Sequence, residues 1–535
     1  MCCREALRRK QCASAWGQAR ALLYRRCIST VVGEEAAISM ACTQNSSCVR
    51  LSDRGYLHAR DVVCIFLFAV SFLFSFWAVT VGWNNTIFDA HPFRQAQTAF
   101  TTYYLRAGGS FLKYETPVLG PPWSIPFEVP VYQAIVAVIS RVFHAPLDQC
   151  GRLVSIAFFY ATCLPLFVLV RELGVSPSAA LATLTLFAIS PHYTFWSHTF
   201  MIESTALFLA VAYLTCVVIA TRRSAATQRL DWLFISLSAV TGMLAGLTKV
   251  TTYAAFFLAG GLWIVWEAWK MRASSSSRAR AVVAVLFVII VPLAAILWWT
   301  SYSDSVKEAN AMGHFLTSHS LREWNFGTWQ QRIDPGSYTH FAGMGIGSVV
   351  DNLIGSRYVL LPAFYTAVAA GGRCLFTFFA CCGLYLTTAF GAFLDASDWR
   401  NWLATLFLML AIGLCVHRYF VEYYSLQHTN APGQPAAAAI LDRDKKSNDV
   451  IVVYGLDWSS QLPYQARRRA LMAWKPVGEQ VMDKSIQRLG ADHVSALLIC
   501  GSERRTSAAV REKWQGLGFR SSRSFTADDC EIYEP

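Results

Sequence analysis

DVVCIFLFAVSFLFSFWAVTVGWNNTIFDAHPFRQAQTAF (61–100) decides the fold class. Its first part, 61–83, is a near-continuous apolar run. A helix needs about 20 such residues to cross a ~30 Å hydrocarbon core. Directly behind it come Asp89, His91, Arg94 and Gln95, so polar chemistry begins where the apolar span ends. Comparable windows recur at 152–171, 177–196, 203–221, 231–248, 252–270, 281–300, 373–394 and 400–417. The pattern predicts nine crossings, and ten or eleven if 128–143 and 349–370 are included. The first of these two is short and starts at Glu128; Asp351, Arg357 and Gly371-Gly372 interrupt the second. The expected fold is mainly α, a polytopic transmembrane helical bundle of about 9–11 spans.

Composition agrees. Of the 535 residues 54 % are hydrophobic and only 15 % charged, against about 25 % charged in soluble domains. Mean hydropathy is +0.36. So much apolar surface excludes a wholly soluble or disordered chain. The net charge of +12 is not spread evenly: residues 1–60 hold ten Lys/Arg and four Asp/Glu, half of the total. Charge placed ahead of the first span sets orientation rather than binding nucleic acid. With the N-terminus cytoplasmic, the basic groups Arg222, Arg223, Arg229 and Lys270, Arg272, Arg278, Arg280 also fall inside. The long connections 84–151 and 301–348 and the tail from about 418 then share the outer face.

The chain divides into a basic, flexible cytoplasmic tail (1–60), a transmembrane domain (61–417) and a C-terminal domain (418–535). In the last, DVIVVYG (449–455) and SALLICG (495–501) read as strands, with helices at 478–490 and 504–516 and a short strand at 529–533. That alternation predicts a small α/β domain, entered through the Pro432–Pro435 linker. The sixteen cysteines show no zinc spacing and no framework. Six lie in the first 48 residues, a segment readable as a tail or as an over-extended start with Met40 as initiator. No cleavable signal peptide is visible.

Ionisable groups at the edge of apolar spans carry the functional information, because they are costly there. Asp89 reads as a catalytic carboxylate beside anion-holding groups, or as a cap of a helix over 92–106 opened by Pro92. Glu203 heads the fourth span and is either functional or simply hydrated. His192 and His198 read as interfacial hydrogen-bonders before metal ligands. Lys249 sits in a tight external turn, where it either meets a phosphate or snorkels to headgroups. Glu128 precedes an apolar helix, which the helix dipole alone would favour. Trp324 and Trp329 read as an interfacial belt or as sugar-stacking rings. Fingerprints for nucleotide binding, zinc proteolysis and α/β-hydrolase chemistry are absent from the sequence.

The order of these pieces resembles the GT-C membrane glycosyltransferases, in the branch with protein O-mannosyltransferases, lipid A aminoarabinose transferases and bacterial Rgt-type transferases. The matching pieces are FDAHPFRQAQTA (88–99), FEVPVYQ (127–133), the Glu203 segment, GLTKVTT (246–252), TSHSLREWNFGTWQQRI (317–333) and YGLDWSSQLPYQARRRALM (454–472). The resemblance implies sugar transfer from a polyprenyl-phosphate donor to a lipid, glycan or protein acceptor outside the cytoplasm, in a bacterial inner membrane. It implies no nucleic-acid partner. It places Asp89 on the general base, Glu203 on a second acid, Glu128 on the FE-x-P glutamate and Lys249 on the lysine that meets the lipid phosphate. Two departures stand out: Ala90 follows Asp89 where relatives often have a second acid, and Val129 replaces a lysine of the aminoarabinose enzymes. Arg94 is the candidate substitute for that lysine, with His91 and Gln95 as further substrate-binding candidates. Glu203 either orients the acceptor or shares a divalent metal with Asp89, a cofactor the residues leave open. The rival readings are a lipid-linked-sugar transporter and a non-catalytic polyprenyl-lipid-binding protein.

Overall fold

The computed structural model describes residues 59–270, 280, 283–344, 351–352, 398–429, 436–443, 450–473, 478–490, 493–503, 508–517, 519 and 524–534. Residues 1–58, most of 349–370, the window 373–394 and the Pro432–Pro435 linker lie outside them. Residues 59–224 and 229–535 belong to one compact unit.

Helices α1 (Ala59–Thr80), α2 (Pro92–Arg106), α3 (Val131–Phe143), α4 (Leu147–Glu172), α5 (Pro177–Ile189), α6 (Pro191–Ser197), α7 (Glu203–Thr227), α8 (Trp232–Thr248) and α9 (Val250–Lys270) follow in order. After them come α10 (Val283–Glu308) and α11 (Asp398–Arg418). Six helices among the described residues are long and apolar enough to cross a membrane: 61–80, 147–172, 203–227, 250–270, 283–308 and 405–428. The chain is therefore an integral, multi-pass membrane protein with a small C-terminal sheet.

Two expected spans differ in detail. The window 177–196 is not one helix, because Pro191 has no N–H and Ser190 before it is extended, with ψ 118°. The window 231–248 is the 17-residue α8, at the short end of what can span. The last span also passes the expected boundary at 417. It continues through a π-turn at Tyr419–Tyr423 to His428. The charges that mark the boundary in the sequence, Arg418 and Glu422, pair across one turn at 3.1 Å and do not end the helix.

Close crossing of α7, α8, α9 and α10 depends on small residues. A Cβ on Gly242 would lie 2.6 Å from the Tyr213 ring, and one on Gly246 would lie 2.4 Å from Ile296. Such positions let helix backbones approach where lipid supplies no hydrophobic drive.

The C-terminal domain carries a five-stranded sheet in the order β2-β1-β3-β5-β4. The strands are β1 (Val450–Tyr454), β2 (Arg469–Ala473), β3 (Val494–Cys500), β4 (Ser524–Ala527) and β5 (Cys530–Tyr533). β1 is parallel to β2 and β3, while β5 is antiparallel to β3 and β4. Helices Gln461–Ala466, Glu479–Leu489 and Ala508–Gly516 alternate with the strands. Val450 to Val453 and Leu497 to Cys500 are buried on both faces, as a central parallel sheet requires. Cys500 and Cys530 form a disulfide across β3 and β5, a pairing the sequence does not announce.

This domain is not a free appendage. Edge strand β2 takes up the connecting segment 117–120: Ala470 N–H donates to Pro117 O (2.8 Å) and Met472 N–H to Val118 O (2.9 Å). Arg469 grips Glu115 through both guanidinium arms, and Tyr464 hydrogen-bonds Asp148 at the head of α4. Phe100, Val118, Leu119 and Met312 lie in the same apolar core as the sheet. The domain thus sits at the end of the bundle where α1, α7 and α8 meet their 81–91, 198–203 and Lys249 connections.

Candidate active site

The site is assembled from loops at one end of the bundle. Beyond α1 the chain leaves the helix, and its loop carbonyls need partners. Arg152, fully buried on α4, supplies them: its Nη1 donates to the carbonyls of Gly82, Trp83 and Asn85 (2.8, 2.8 and 2.9 Å), and Nη2 to Thr86 (3.0 Å). The same Nη2 lies 3.5 Å from Asp89 Oδ2. Arg152 thereby fixes the loop that presents Asp89.

Asp89 is not the cap of α2; His91 holds that place, in the left-handed region at φ 44°. The side chain of Asp89 is only 2 % exposed. Its Oδ1 accepts from Ala90 N–H and Gln95 Nε2, both at 2.9 Å. Its Oδ2 meets His198 Nε2 at 2.7 Å. The other nitrogen of His198, Nδ1, faces the Phe195 carbonyl, which can only accept. His198 is thus held at both ring nitrogens. Burial pushes the Asp89 carboxyl up, but the His198 hydrogen bond and charge, the Arg152 guanidinium and the Gln95 amide outweigh it. The result lies below the ordinary carboxylate value.

Gln95 is fully buried, and its amide is engaged on three sides: Asp89 Oδ1, the Ala90 carbonyl and Phe200 N–H (2.8 Å). It ties the Asp89 loop to the segment before α7. That makes it a positioning residue. His91 is exposed and packs on Trp196, with ring centroids 5.2 Å apart.

A second cluster lies beside the first. Lys249 is the single residue between α8 and α9, and its ammonium pairs with Glu203 at the head of α7. Both are about 30 % exposed, at 27 % and 30 %. Glu203 Oε2 is buried without a hydrogen-bond partner. Glu128 is within electrostatic reach of Arg94, Lys249 and Glu203. Burial raises its carboxyl above the usual value, Glu203 adds to this, and Arg94 and Lys249 pull against it. Arg94 is exposed and donates to Gln97 Oε1 at 3.0 Å.

The backbone around Glu128 is held from three sides. Tyr114 Oη donates to the Glu128 carbonyl (2.9 Å) and accepts from Phe127 N–H (2.6 Å). Trp299 and Ser303 of α10 donate to the Phe127 and Pro126 carbonyls, and Val129 N–H donates to Leu247 O (2.9 Å). Val129 itself packs with Tyr114 and Trp299 in an apolar cluster. A lysine at this position would aim its stem into that cluster, so the cation has to come from elsewhere.

Two participants, Arg152 and Lys307, were not singled out by the sequence reading, and His198 was read only as an interfacial hydrogen-bonder before a metal ligand. Arg152 stands first in its predicted window, and an arginine at a span edge was the available signal. His198 is the carboxylate partner of Asp89. Lys307, 6 % exposed, has its Nζ 5.0 Å over the Phe127 ring and 3.6 Å from Asp304 Oδ1, within electrostatic reach of Glu128. Trp324 and Trp329 stand 86 % and 72 % exposed on short helices at Arg322–Phe326 and Trp329–Ile333.

Asp89 and Glu203 each face cationic nitrogen donors. Among the described residues no three His, Cys, Asp or Glu side chains are grouped to hold an ion. The arrangement offers three cations, Arg94, Lys249 and Lys307, around two carboxylates at one end of the bundle, with a third, strongly held carboxylate adjoining.

Residues 65–304, which contain Asp89, Glu128, Glu203 and Lys249, match the family model of dolichyl-phosphate-mannose-protein mannosyltransferases. The fold is similar to that of ArnT from Cupriavidus metallidurans in the apo state, with TM-score 0.54 and 11 % identity, covering 88 % of this chain and 97 % of that one. ArnT from the same organism bound to undecaprenyl phosphate gives TM-score 0.54 at 12 % identity over the same shares. No curated protein matches the chain by sequence. Residues 65–304 thus resemble the mannosyltransferase family, and the fold is of the GT-C type that ArnT shows.

Proposed function

We propose that the protein transfers a sugar from a polyprenyl-phosphate-linked donor to an acceptor hydroxyl on the extracytoplasmic face. The observation that carries this is the Lys249–Glu203 pair at the helix break, facing Arg94 and Glu128 at one end of the bundle. A lipid phosphate held at the bilayer edge needs fixed cations at that depth, and their field is strong where water is sparse. The undecaprenyl phosphate bound by the similarly folded ArnT is a lipid of this class.

In the reaction the acceptor oxygen attacks the anomeric carbon, whose bond to the phosphate oxygen breaks. The polyprenyl phosphate leaves with the electron pair, and the acceptor proton passes to a carboxylate. Attack from the far side inverts the anomeric centre. Lys249 and Arg94 stabilise the charge growing on the phosphate, and Asp89 takes the proton. Glu203 holds Lys249 in place and aims its unpartnered oxygen at the acceptor. A carrier would need its site near the midplane, whereas these groups cluster at helix ends.

Two results test this. Lys249→Met is expected to weaken donor binding roughly 10–100-fold, the range for losing a charge-assisted hydrogen bond; donor titration with unchanged affinity would remove Lys249 from the phosphate site. For sidedness, the disulfide Cys500–Cys530 supports an oxidising compartment for the C-terminal domain. Alkaline phosphatase fused after Pro535 is expected to be active, since it folds only outside the cytoplasm; an inactive but expressed fusion reverses the orientation.

A further inference from the structure

We infer that Trp458, with Phe93 and Phe127, walls a subsite for the sugar ring of the donor, so that the C-terminal domain completes the active site. The inference rests on the donor class proposed above. Phe93 and Phe127 come from two separate external segments, and each directly precedes a charged member of the site, Arg94 and Glu128. Trp458 comes from a third place, the turn that leaves the carboxyl end of β1. Its ring centroid lies 4.8 Å from that of Phe93 at an interplanar angle of 82°, and 5.9 Å from that of Phe127 at 30°. Lys307 Nζ also lies over the Phe127 ring, 5.0 Å from its centroid.

The turn is built to reach this point. Gly455 follows β1 at φ +92°, and a Cβ there would lie 2.2 Å from the Cys500 carbonyl oxygen, so only glycine lets β1 turn so close to β3. Asp457 is left-handed at φ 54°, and its Oδ1 accepts from the Trp458 backbone N–H at 2.8 Å, which holds the turn at the residue that carries the indole. Anchoring the domain does not require this contact. The β2 pairing with 117–118, the Arg469–Glu115 pair and the Tyr464–Asp148 bond already do so.

The chemistry follows from connectivity. The anomeric oxygen of the donor is itself a phosphate oxygen, so the sugar ring must lie beside whatever holds the phosphate. Phe93 and Phe127 are one residue from Arg94 and Glu128. Sugar C–H faces are apolar and pack on aromatic rings, while the hydroxyls at the rim turn to charged groups.

The test compares two ligands on full-length protein in detergent: undecaprenyl phosphate alone, and a fixed panel of undecaprenyl phosphates carrying mannose, glucose or arabinose. Wild type is expected to bind at least one sugar-bearing lipid more tightly than the bare lipid. Trp458→Ala is expected to lose about three- to tenfold for that sugar lipid, the range for one aromatic contact, with bare-lipid affinity within twofold. Trp458→Phe is expected to recover most of the loss. Equal losses for both ligands would make Trp458 an anchor and overturn the subsite, as would no loss for either. If wild type binds no polyprenyl phosphate at all, the donor reading itself fails. If it binds the bare lipid but prefers no sugar, only the subsite fails. Unfolding curves of both variants separate these outcomes from a loss of fold.

Discussion

Asp89→Asn protein is expected to bind the donor and to transfer its sugar about 10²–10⁴-fold more slowly, the usual contribution of a positioned base. The substitution preserves size but not hydrogen bonding. Each carboxylate oxygen of Asp89 receives donors, Ala90 N–H and Gln95 on Oδ1, His198 and Arg152 on Oδ2. An amide NH₂ must face one of these sets, donor against donor. About 1–3 kcal/mol of stability should therefore be lost as well, and turnover has to be read on protein shown to be folded. Normal turnover in a folded Asp89→Asn chain would take the base role from this residue.

The pH profile says which carboxylate receives the proton. Asp89 is held below the ordinary carboxylate value and Glu128 above it. With Asp89 as base, kcat/KM should stay level down to about pH 4 and fall only below it. An acid limb above that point, abolished by Glu128→Gln, would move the base role to Glu128. Stability follows the same signs. The lowered Asp89 contributes stability above about pH 4, lost as pH falls through its folded value. The raised Glu128 contributes below about pH 4.3, lost as pH rises through its own.

How much of this could be read from residue order depended on how local each signal was. Helix α2 was expected over 92–106 and is Pro92–Arg106, because proline at the first helical position is a purely local device. Strands β1 and β3 declared themselves as apolar β-branched runs. β2, RALMA at 469–473, did not: its residues favour helix, and it is a strand because β1 and the 117–118 backbone flank it. Asp89, Glu203, Glu128 and Lys249 were visible as charges at span edges. Their roles toward one another were not, since His198 is 109 residues from Asp89 and Lys249 is 46 from Glu203. Arg152 is the clearest case. Its partners are backbone carbonyls 66 to 70 residues away, and backbone carbonyls have no sequence signature. The disulfide escaped for the same reason: it depends on β3–β5 register, in which Cys500 faces Cys530.

Arg152→Met is accordingly the substitution with the largest expected effect on the fold, about 3–5 kcal/mol, the usual consequence of removing one partner from a buried charge pair. Methionine fills the volume but returns none of the hydrogen bonds to Gly82, Trp83, Asn85 and Thr86. It also takes the guanidinium from Asp89, which is 2 % exposed, and leaves it the hydrogen bonds of His198, Gln95 and Ala90. Arg152→Lys keeps the charge but concentrates it on one ammonium, which cannot match a planar fork spread over four carbonyls. It should fall between wild type and Arg152→Met in unfolding midpoint. A double-mutant cycle divides the two duties. If Arg152 acts partly by compensating Asp89, Arg152→Met should be less damaging in Asp89→Asn protein, with a coupling of roughly 0.5–3 kcal/mol. A coupling near zero with the full single-mutant loss would assign Arg152 to the loop carbonyls alone. An unchanged midpoint for Arg152→Met would show that the Asp89 loop is held by something else, and the site described here would lose its foundation.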